Sequence, residues 1–505
     1  MFNFTVLNEL LASKSSKIKK DSQMRKRFEP QFILGQLPIE ETNIPLKCRA
    51  PLVALVAALK KLYVTPEWNE KIFMLLEQKI LSGKKKTGRN GMNLWQVFVL
   101  AQTRLSLNCS YDNLHHISNN DKMIRQLMGV EVDYGFEDYE FEYQNILDNV
   151  GLLDNQTVRE LNEVIVSFGH EVFKKKDTEA LALKTDSFVV ESNVHFPTDY
   201  NLLWDCIRKC LDILEAIVTK YPEVKGWRKI KNWYSELKKM MRNLGFANRG
   251  GGKEKEARLK KAAIQYVEKA KLLLLKIRST TKGLPLIDVS DLAQVLNLEG
   301  FEELLEKHIN LVERRLIKGE IIPHQEKMFS IFEQYTQWIT KGKLRPSVEL
   351  GKRLAITSDQ YHLIVDYKIM ENESDSEIVM ELAIRVLSKY KVGSWSFDKG
   401  FWHKDNKALL KEEIAKLVMP KKGKCNQQER LEETDRIFVR LRNKHSAIES
   451  NINELEHCGL NRCPDRGYEH FKRYIGLAIC AYNLKRIGRK LLEIARTEQE
   501  FKQAA

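Results

Sequence analysis

The feature that most constrains this chain is a change of period. Over most of its length apolar residues recur at helical spacing. The stretch LALKTDSFVV at 181–190 instead runs rich in Leu, Val and Thr. Such a run predicts a buried β-strand, and it carries Asp186. An ionised carboxylate on an apolar strand is costly unless a cation or a polar partner meets it. Pro197 ends the strand, and long helical patterns follow from about 200 to 320.

Strand signals resume at 348–357 and at 361–370, where HLIVDYKIM combines β-branched and aromatic residues. A helix is expected over Glu377–Lys389, then a short strand segment ending at Asp398. A helix near 405–416, the short apolar strand LVMP and a long helix from about Gln427 complete the pattern, and that last helix holds Glu449. With the helical stretch set aside as an insertion, the order is β-β-β-α-β-α-β-α. That is the order of an RNase H-like fold, in which the first and fourth strands are neighbours and a late helix lies over their ends. Fold order alone is analogy and says nothing certain of chemistry.

The chemistry is in three acids, each in a distinct string: Asp186 in LALKTDSFVVESNVHFPTD, Asp398 in SWSFDKGFWHKDN and Glu449 in RLRNKHSAIESNINELEHCGLNR. Carboxylates are hard oxygen ligands for Mg²⁺. Three of them converging from different elements can hold two metal ions for in-line displacement at phosphorus. Asp398 has a rival in Asp366 of LIVDYKI, which we expect to be structural. Asn193 and His195 follow Asp186 closely and could line the site or serve the fold. Of Trp395, Phe397, Phe401 and Trp402, most are expected in the core.

The first 180 residues read differently. Residues 1–48 form a basic arm with Lys14, Lys17, Lys19, Lys20, Arg25, Lys26 and Arg27. Helices are predicted over Pro51–Tyr63, over Pro66–Leu81 with Thr65 as N-cap and Pro at the first position, and over Leu94–Leu105. A further one starts at Ser110, and Asp121–Met128 forms another. A basic loop at 83–90 holds Lys84, Lys85, Lys86 and Arg89. Short helices joined by tight turns suit a helix-turn-helix DNA reader, as they suit any small helical domain. An amphipathic helix through Val158, Leu161, Val164, Ile165 and Phe168 follows. The string RGGGKEKEARLKK at 249–261 reads as a mobile basic surface loop.

A chain of 505 residues exceeds one ordinary core. Its hydrophobic content of 43% is that of a globular protein. The formal net charge of +15 calls for a polyanionic partner, and nucleic acid is the commonest. No apolar run approaches the roughly 18 residues that span a bilayer. The N-terminus places its apolar part before its basic part, the reverse of a secretory signal. A cytoplasmic, nucleoid-associated location is therefore expected. Eight cysteines without CxxC pairs read as buried free thiols and not as a disulfide framework or zinc site.

Six strings in order carry a resemblance: LWQVFVLAQTRLSLNCSYDNLHHISN at 94–119, TDSFVVESNVHFPTDYNLL at 185–203, MFSIFEQYTQWITKGKLRPSVELG at 328–351, SFDKGFWHKDN at 396–406, MPKKGK at 419–424, and the run from Arg442 to Gly488. Over roughly residues 50–490 the chain resembles a bacterial insertion-sequence transposase of the DDE type, in the group labelled ISNCY. The resemblance implies an α+β, multidomain protein: a helical DNA-binding region at 49–180, an RNase H-like mixed-sheet catalytic core at 181–490 with the helical insertion near 200–320, and a tail at 491–505.

It implies a catalytic, metal-binding triad of Asp186, Asp398 and Glu449, holding two Mg²⁺ or Mn²⁺ ions. It also implies double-stranded DNA as partner, both element ends and target, and a homodimer, since two ends are processed together. Related transposases carry a Tyr-x2-Arg-x3-Glu-x6-Lys signature around the Glu. Here those positions are Arg442, His445, Glu449 and Glu456, which would share one face of a continuous helix. Arg442 and His445 are candidate phosphate contacts; Glu456 has the wrong sign. Arg249, Lys253 and Arg258, with Lys84, Lys85, Lys86 and Arg89, are further candidates for the DNA backbone. Two other readings stay open: a DNA-binding protein on this scaffold without chemistry, and a metal-dependent nuclease of the same fold.

Overall fold

The structure, a computed structural model, describes residues 25–28, 35–82, 91–132, 139–285, 287–340 and 347–504. The arm lysines Lys14, Lys17, Lys19 and Lys20 and the loop residues Lys84, Lys85, Lys86 and Arg89 lie outside them. The chain forms two compact units, one of Met1–Glu191 with Lys352–Ala505 and one of Ser192–Gly351.

The first unit opens with helices α1 (Pro51–Tyr63), α2 (Pro66–Ile80), α3 (Leu94–Ser106), α4 (Tyr111–Asn120), α5 (Lys122–Leu127), α6 (Tyr143–Val150) and α7 (Asn155–Val172). Their starts follow local chemistry. Pro51 and Pro66 occupy first-turn positions where no N–H is missed. The side chains of Asn93, Ser110, Asp121 and Asp154 each accept a backbone N–H of the turn they cap. All thirteen residues of α3 are buried. That helix is a core element and has no free face for a DNA groove.

Strand β1 (Leu181–Ser192) follows, and the chain then enters the second unit. There α8 (Asp199–Lys220), α9 (Ile230–Arg249), α10 (Lys255–Thr281) and α11 (Val289–Val312) pack around Leu203, Ile207, Leu214, Tyr266, Leu273 and Leu298. The basic string at 249–261 is only partly a loop. After the glycines, KEARLKK forms the first turns of α10, because residues of good helix propensity resume at once. Strand β2 (Gln337–Thr340), not foreseen from the sequence, pairs antiparallel with residues 348–351 of β3 (Val348–Ser358).

Back in the first unit come β4 (Ile364–Ile369), α12 (Val379–Leu387), β5 (Val392–Phe397), α13 (Lys404–Glu413), β6 (Lys416–Val418), α14 (Gln427–Thr434), α15 (Arg436–His445), α16 (Ala447–Leu455), β7 (Arg462–Cys463) and α17 (Tyr468–Ala504). The single long helix expected from Gln427 is thus three. Asp435 breaks it by capping the amides of Ile437 and Phe438, and a turn at Ser446 interrupts it again. Residues 491–505, expected as a tail, continue α17 as far as Ala504.

The sheet is mixed. β1 lies between β3 and β5, β6 flanks β5, and β4 pairs β3. β1–β5 and β5–β6 are parallel, while β3–β4 is antiparallel. The expected adjacency of first and fourth core strands, β1 and β5, is present. One face is apolar: Leu181, Leu183, Trp395 and Phe397 pack with Val379, Leu382 and Val386 of α12. The long helix α17 reinforces the unit. Its Asn483 accepts the Ile364 amide at 2.8 Å and donates to the Ile364 carbonyl at 3.0 Å and to Asn162. At Gly488 any Cβ would fall 1.7 Å from the Ala54 carbonyl oxygen, so only glycine at this position lets α17 lie so close to α1.

Candidate active site

The register of β1 on β5 brings two of the acids together. Lys184 pairs with Ser396 and Thr185 with Phe397, so Asp186 and Asp398 each come one residue past the last matched pair. Alternation puts Lys184, Asp186, Ser396 and Asp398 on the face opposite the apolar core. The strands are locked just below. The Trp395 indole N–H, which can only donate, meets Thr185 Oγ at 2.8 Å, leaving the Thr185 hydroxyl to pair with Thr357 Oγ at 2.8 Å.

Asp186 is largely buried and partnered by little: among the described residues its one hydrogen bond is from the amide of Ser187, at 2.7 Å. Burial raises its carboxyl to about 7, and the negative charges of Asp398, Asp375 and Glu449 push the same way. The three acids singled out from sequence therefore meet electrostatically. Asp398 opens a short 3₁₀ turn, Lys399–Phe401. Glu449 sits in the first turn of α16, a helix anchored by buried Ile448, Asn451 and Leu455. Asn451 Oδ1 in turn contacts His362 Nδ1 at 3.0 Å.

Asp375 was not singled out by its sequence context, ENESDSE, where acids are common and none is marked. It accepts the Ser187 hydroxyl at 2.7 Å, and its other oxygen lies against Gly400, where a Cβ would come within 2.9 Å. Its nearest cation is Arg353, at 3.8 Å.

The rival acid Asp366 has a different environment. On β4, it is clamped by Arg385 at 2.7 Å and by Arg159 at 3.3 Å. His445, on α15, contacts Ser396 Oγ through Nδ1 at 2.9 Å, while its Nε2 is buried and unpartnered. Burial lowers its pKa, opposed by Asp398 and Glu449. Arg442 is exposed on α15. With a turn at Ser446 between His445 and Glu449 and a π-helical turn starting at Glu456, Arg442, His445, Glu449 and Glu456 do not share one continuous α-helix. Arg249, Lys253 and Arg258 are exposed in the second unit, where Arg258 donates to the Gly251 carbonyl at 2.7 Å. His195, in that unit too, binds Asp205 at 2.7 Å. Trp395, Phe397 and Phe401 are buried in the core and Trp402 is half-buried.

The donor set fits a hard divalent cation in its chemistry: all carboxylate oxygens, with the Asp186 carboxyl raised to about 7 by burial and by the neighbouring acids. As the side chains stand, no three His, Cys, Asp or Glu among the described residues are grouped as around one ion. All eight cysteines are free thiols. Among the described residues no helix is long and apolar enough to cross a membrane.

Comparison with protein families gives one match: residues 320–484 fit the family described as Transposase DDE domain. The matched segment, about a third of the chain, contains Asp398 and Glu449 and begins after β1 and its Asp186. No curated protein and no solved structure matches the chain. The family match supports a DDE-type transposase.

Proposed function

We propose that this protein is a DNA transposase that binds the terminal inverted repeats of its own element, cleaves there and joins the freed 3′ ends to target DNA. One observation carries the reading: Asp186 and Asp398 each lie one residue past the last matched pair of two adjacent parallel strands, and burial and neighbouring carboxylates raise the Asp186 carboxyl to about 7. Asp186, Asp398 and Glu449 would hold two Mg²⁺ or Mn²⁺ ions, which supply Lewis acidity at phosphorus and at the attacking and leaving oxygens.

The chain's own groups set the geometry. The Trp395–Thr185–Thr357 chain fixes the two strand ends, so little reorganisation is left for the reaction itself. Asp186 releases its proton when positive charge arrives. Exposed Arg442 on α15, with His445 beside Ser396, is suited to phosphates of the bound strand. In the second unit Arg249, Lys253 and Arg258 offer sequence-independent contact with the DNA backbone. A homodimer would process both element ends.

The test gives purified protein the DNA that flanks its gene, with Mg²⁺ or Mn²⁺, beside Asp398→Asn. Cutting at the element ends and joined products, both lost in the variant, are expected. Cutting without joining would make it a nuclease of this fold. Binding without cutting would leave a DNA-binding scaffold.

A further inference from the structure

A cleft of about 420 Å³ opens in the first unit beside the acids, within the roughly 300–1,000 Å³ range of small-ligand sites. Lys184, Ser396, Lys444, Ser446, His362 and Gln360 are among its lining residues. We propose that this cleft is a subsite for one backbone phosphate of the DNA strand, the neighbour of the phosphate that reacts. The inference rests on the transposase reading and adds to it a second, cationic binding point.

Position argues for it first. Lys184 and Asp186 share a face of β1, as Ser396 and Asp398 share one of β5, and Lys184 is paired with Ser396. Two residues of strand separate the cleft from the acids, about 6.6 Å at about 3.3 Å per residue. That is the order of the spacing between successive phosphates of one nucleic-acid strand. Lys444 and Ser446 reach the same cleft from the end of α15, just ahead of Glu449.

Charge argues for it second. Lys184 has no ion pair among the described residues. Its ammonium lies 3.5 Å from the backbone carbonyl of Asp359. The Asp359 carboxylate is already engaged by His170 at 2.7 Å and by the amides of Tyr361 and Leu363. Lys444 is exposed and also has no acid partner among the described residues. Lys184 makes no ion pair with Asp186, whose one hydrogen bond among the described residues comes from the Ser187 amide. Two cations without an ion pair among the described residues thus face one cleft, beside acids of which Asp375 has Arg353 at 3.8 Å and Asp186 has no ion pair among the described residues. One strand of DNA answers both: its reacting phosphate at the acids, by way of metal, and the next phosphate at the lysines.

The experiment uses full-length protein and element-end duplexes in which single phosphates around the cleavage position are replaced by neutral methylphosphonates. Binding is measured over a salt series for wild type, Lys444→Ala and Lys184→Met. The wild type should lose affinity when the phosphate next to the cleaved bond is neutralised. Each variant should lower the slope of log K against log[salt] by about 0.7–0.9 and lose sensitivity to that one replacement. Lys444 is exposed, so its variant tests the idea even if Lys184→Met fails to fold. Wild type that binds and cuts, with slope and methylphosphonate profile unchanged in Lys444→Ala, overturns the subsite and leaves the transposase reading standing. Wild type that neither binds nor cuts such DNA overturns both.

Discussion

Asp186 and Asp366 stand on strands of the same sheet, both largely out of water, and their surroundings are opposite. Asp366 is gripped by Arg385 and Arg159; its charge is balanced inside the fold. Asp186 has one backbone amide and three carboxylates for company. Burying a carboxylate is tolerable when the fold supplies a cation, and Asp366 shows this chain doing so. Leaving Asp186 without one is a local loss of stability that makes sense if the missing charge is brought from outside. The comparison separates an acid balanced by cations from one that is not by their neighbours, since residue type and strand context are the same for both.

The comparison breaks most sharply in catalysis. Asp398→Asn or Asp186→Asn should reduce metal-dependent end cleavage on the order of 10³-fold or more, measured per folded molecule. Asp366→Asn, in the same assay, should keep most of the activity. If all three lose activity equally, the distinction falls.

Stability should show the reverse. Removing the Asp366 charge leaves Arg385 and Arg159 short of a partner in a half-buried place, at a cost of about 2–3 kcal/mol. Thermal melting and denaturant titration would show it.

A third, smaller effect has a defined sign. The folded-state pKa of Asp186 is raised, from 3.8 to about 7. Its contribution is therefore fully present below pH 4 and is lost as pH rises through about 7. In EDTA at pH 8, Asp186→Asn should melt higher than wild type, by about 1–3 kcal/mol after allowing for solvent screening. At pH 4 the difference should nearly vanish. A variant that melts lower at pH 8 would mean Asp186 has a counter-charge after all.

The smallest effect concerns binding of the ion itself. Mn²⁺ must displace the Asp186 proton, so its affinity by calorimetry should fall by up to about tenfold per pH unit below 7. Asp186→Asn should flatten that dependence. Asp366→Asn should leave it in place.

Much of the local structure was legible. Pro51, Thr65–Pro66, Ser110 and Asp121 mark helix starts because caps and fixed φ angles act within one turn. The run at 181–190 gave β1, and the segments near 348 and 364 gave β3 and β4, because strand chemistry is written in side-chain shape. The reading failed where the deciding contact was distant or the competing signal weak. β2 has only four residues. The helix from Gln427 breaks at Asp435 because a side chain took over the amides ahead of it. α3, taken for part of a surface DNA reader, is buried by neighbouring helices and by α17 from far along the chain.

The sequence by itself determined that the chain is basic, mostly helical, and interrupted by strands that carry Asp186 and a few other acids in unusual company. These follow from composition and from periodicities of two and 3.6 residues. The tertiary structure alone decided which acids are neighbours. Register placed Asp186 beside Asp398, folding brought in Asp375 from an unmarked acidic loop, and two arginines from separate helices took Asp366 out of contention. It also put Lys184 and Lys444 across one cleft. Charges act through space over several ångströms, and the order of residues along a chain does not say which of them will share that space.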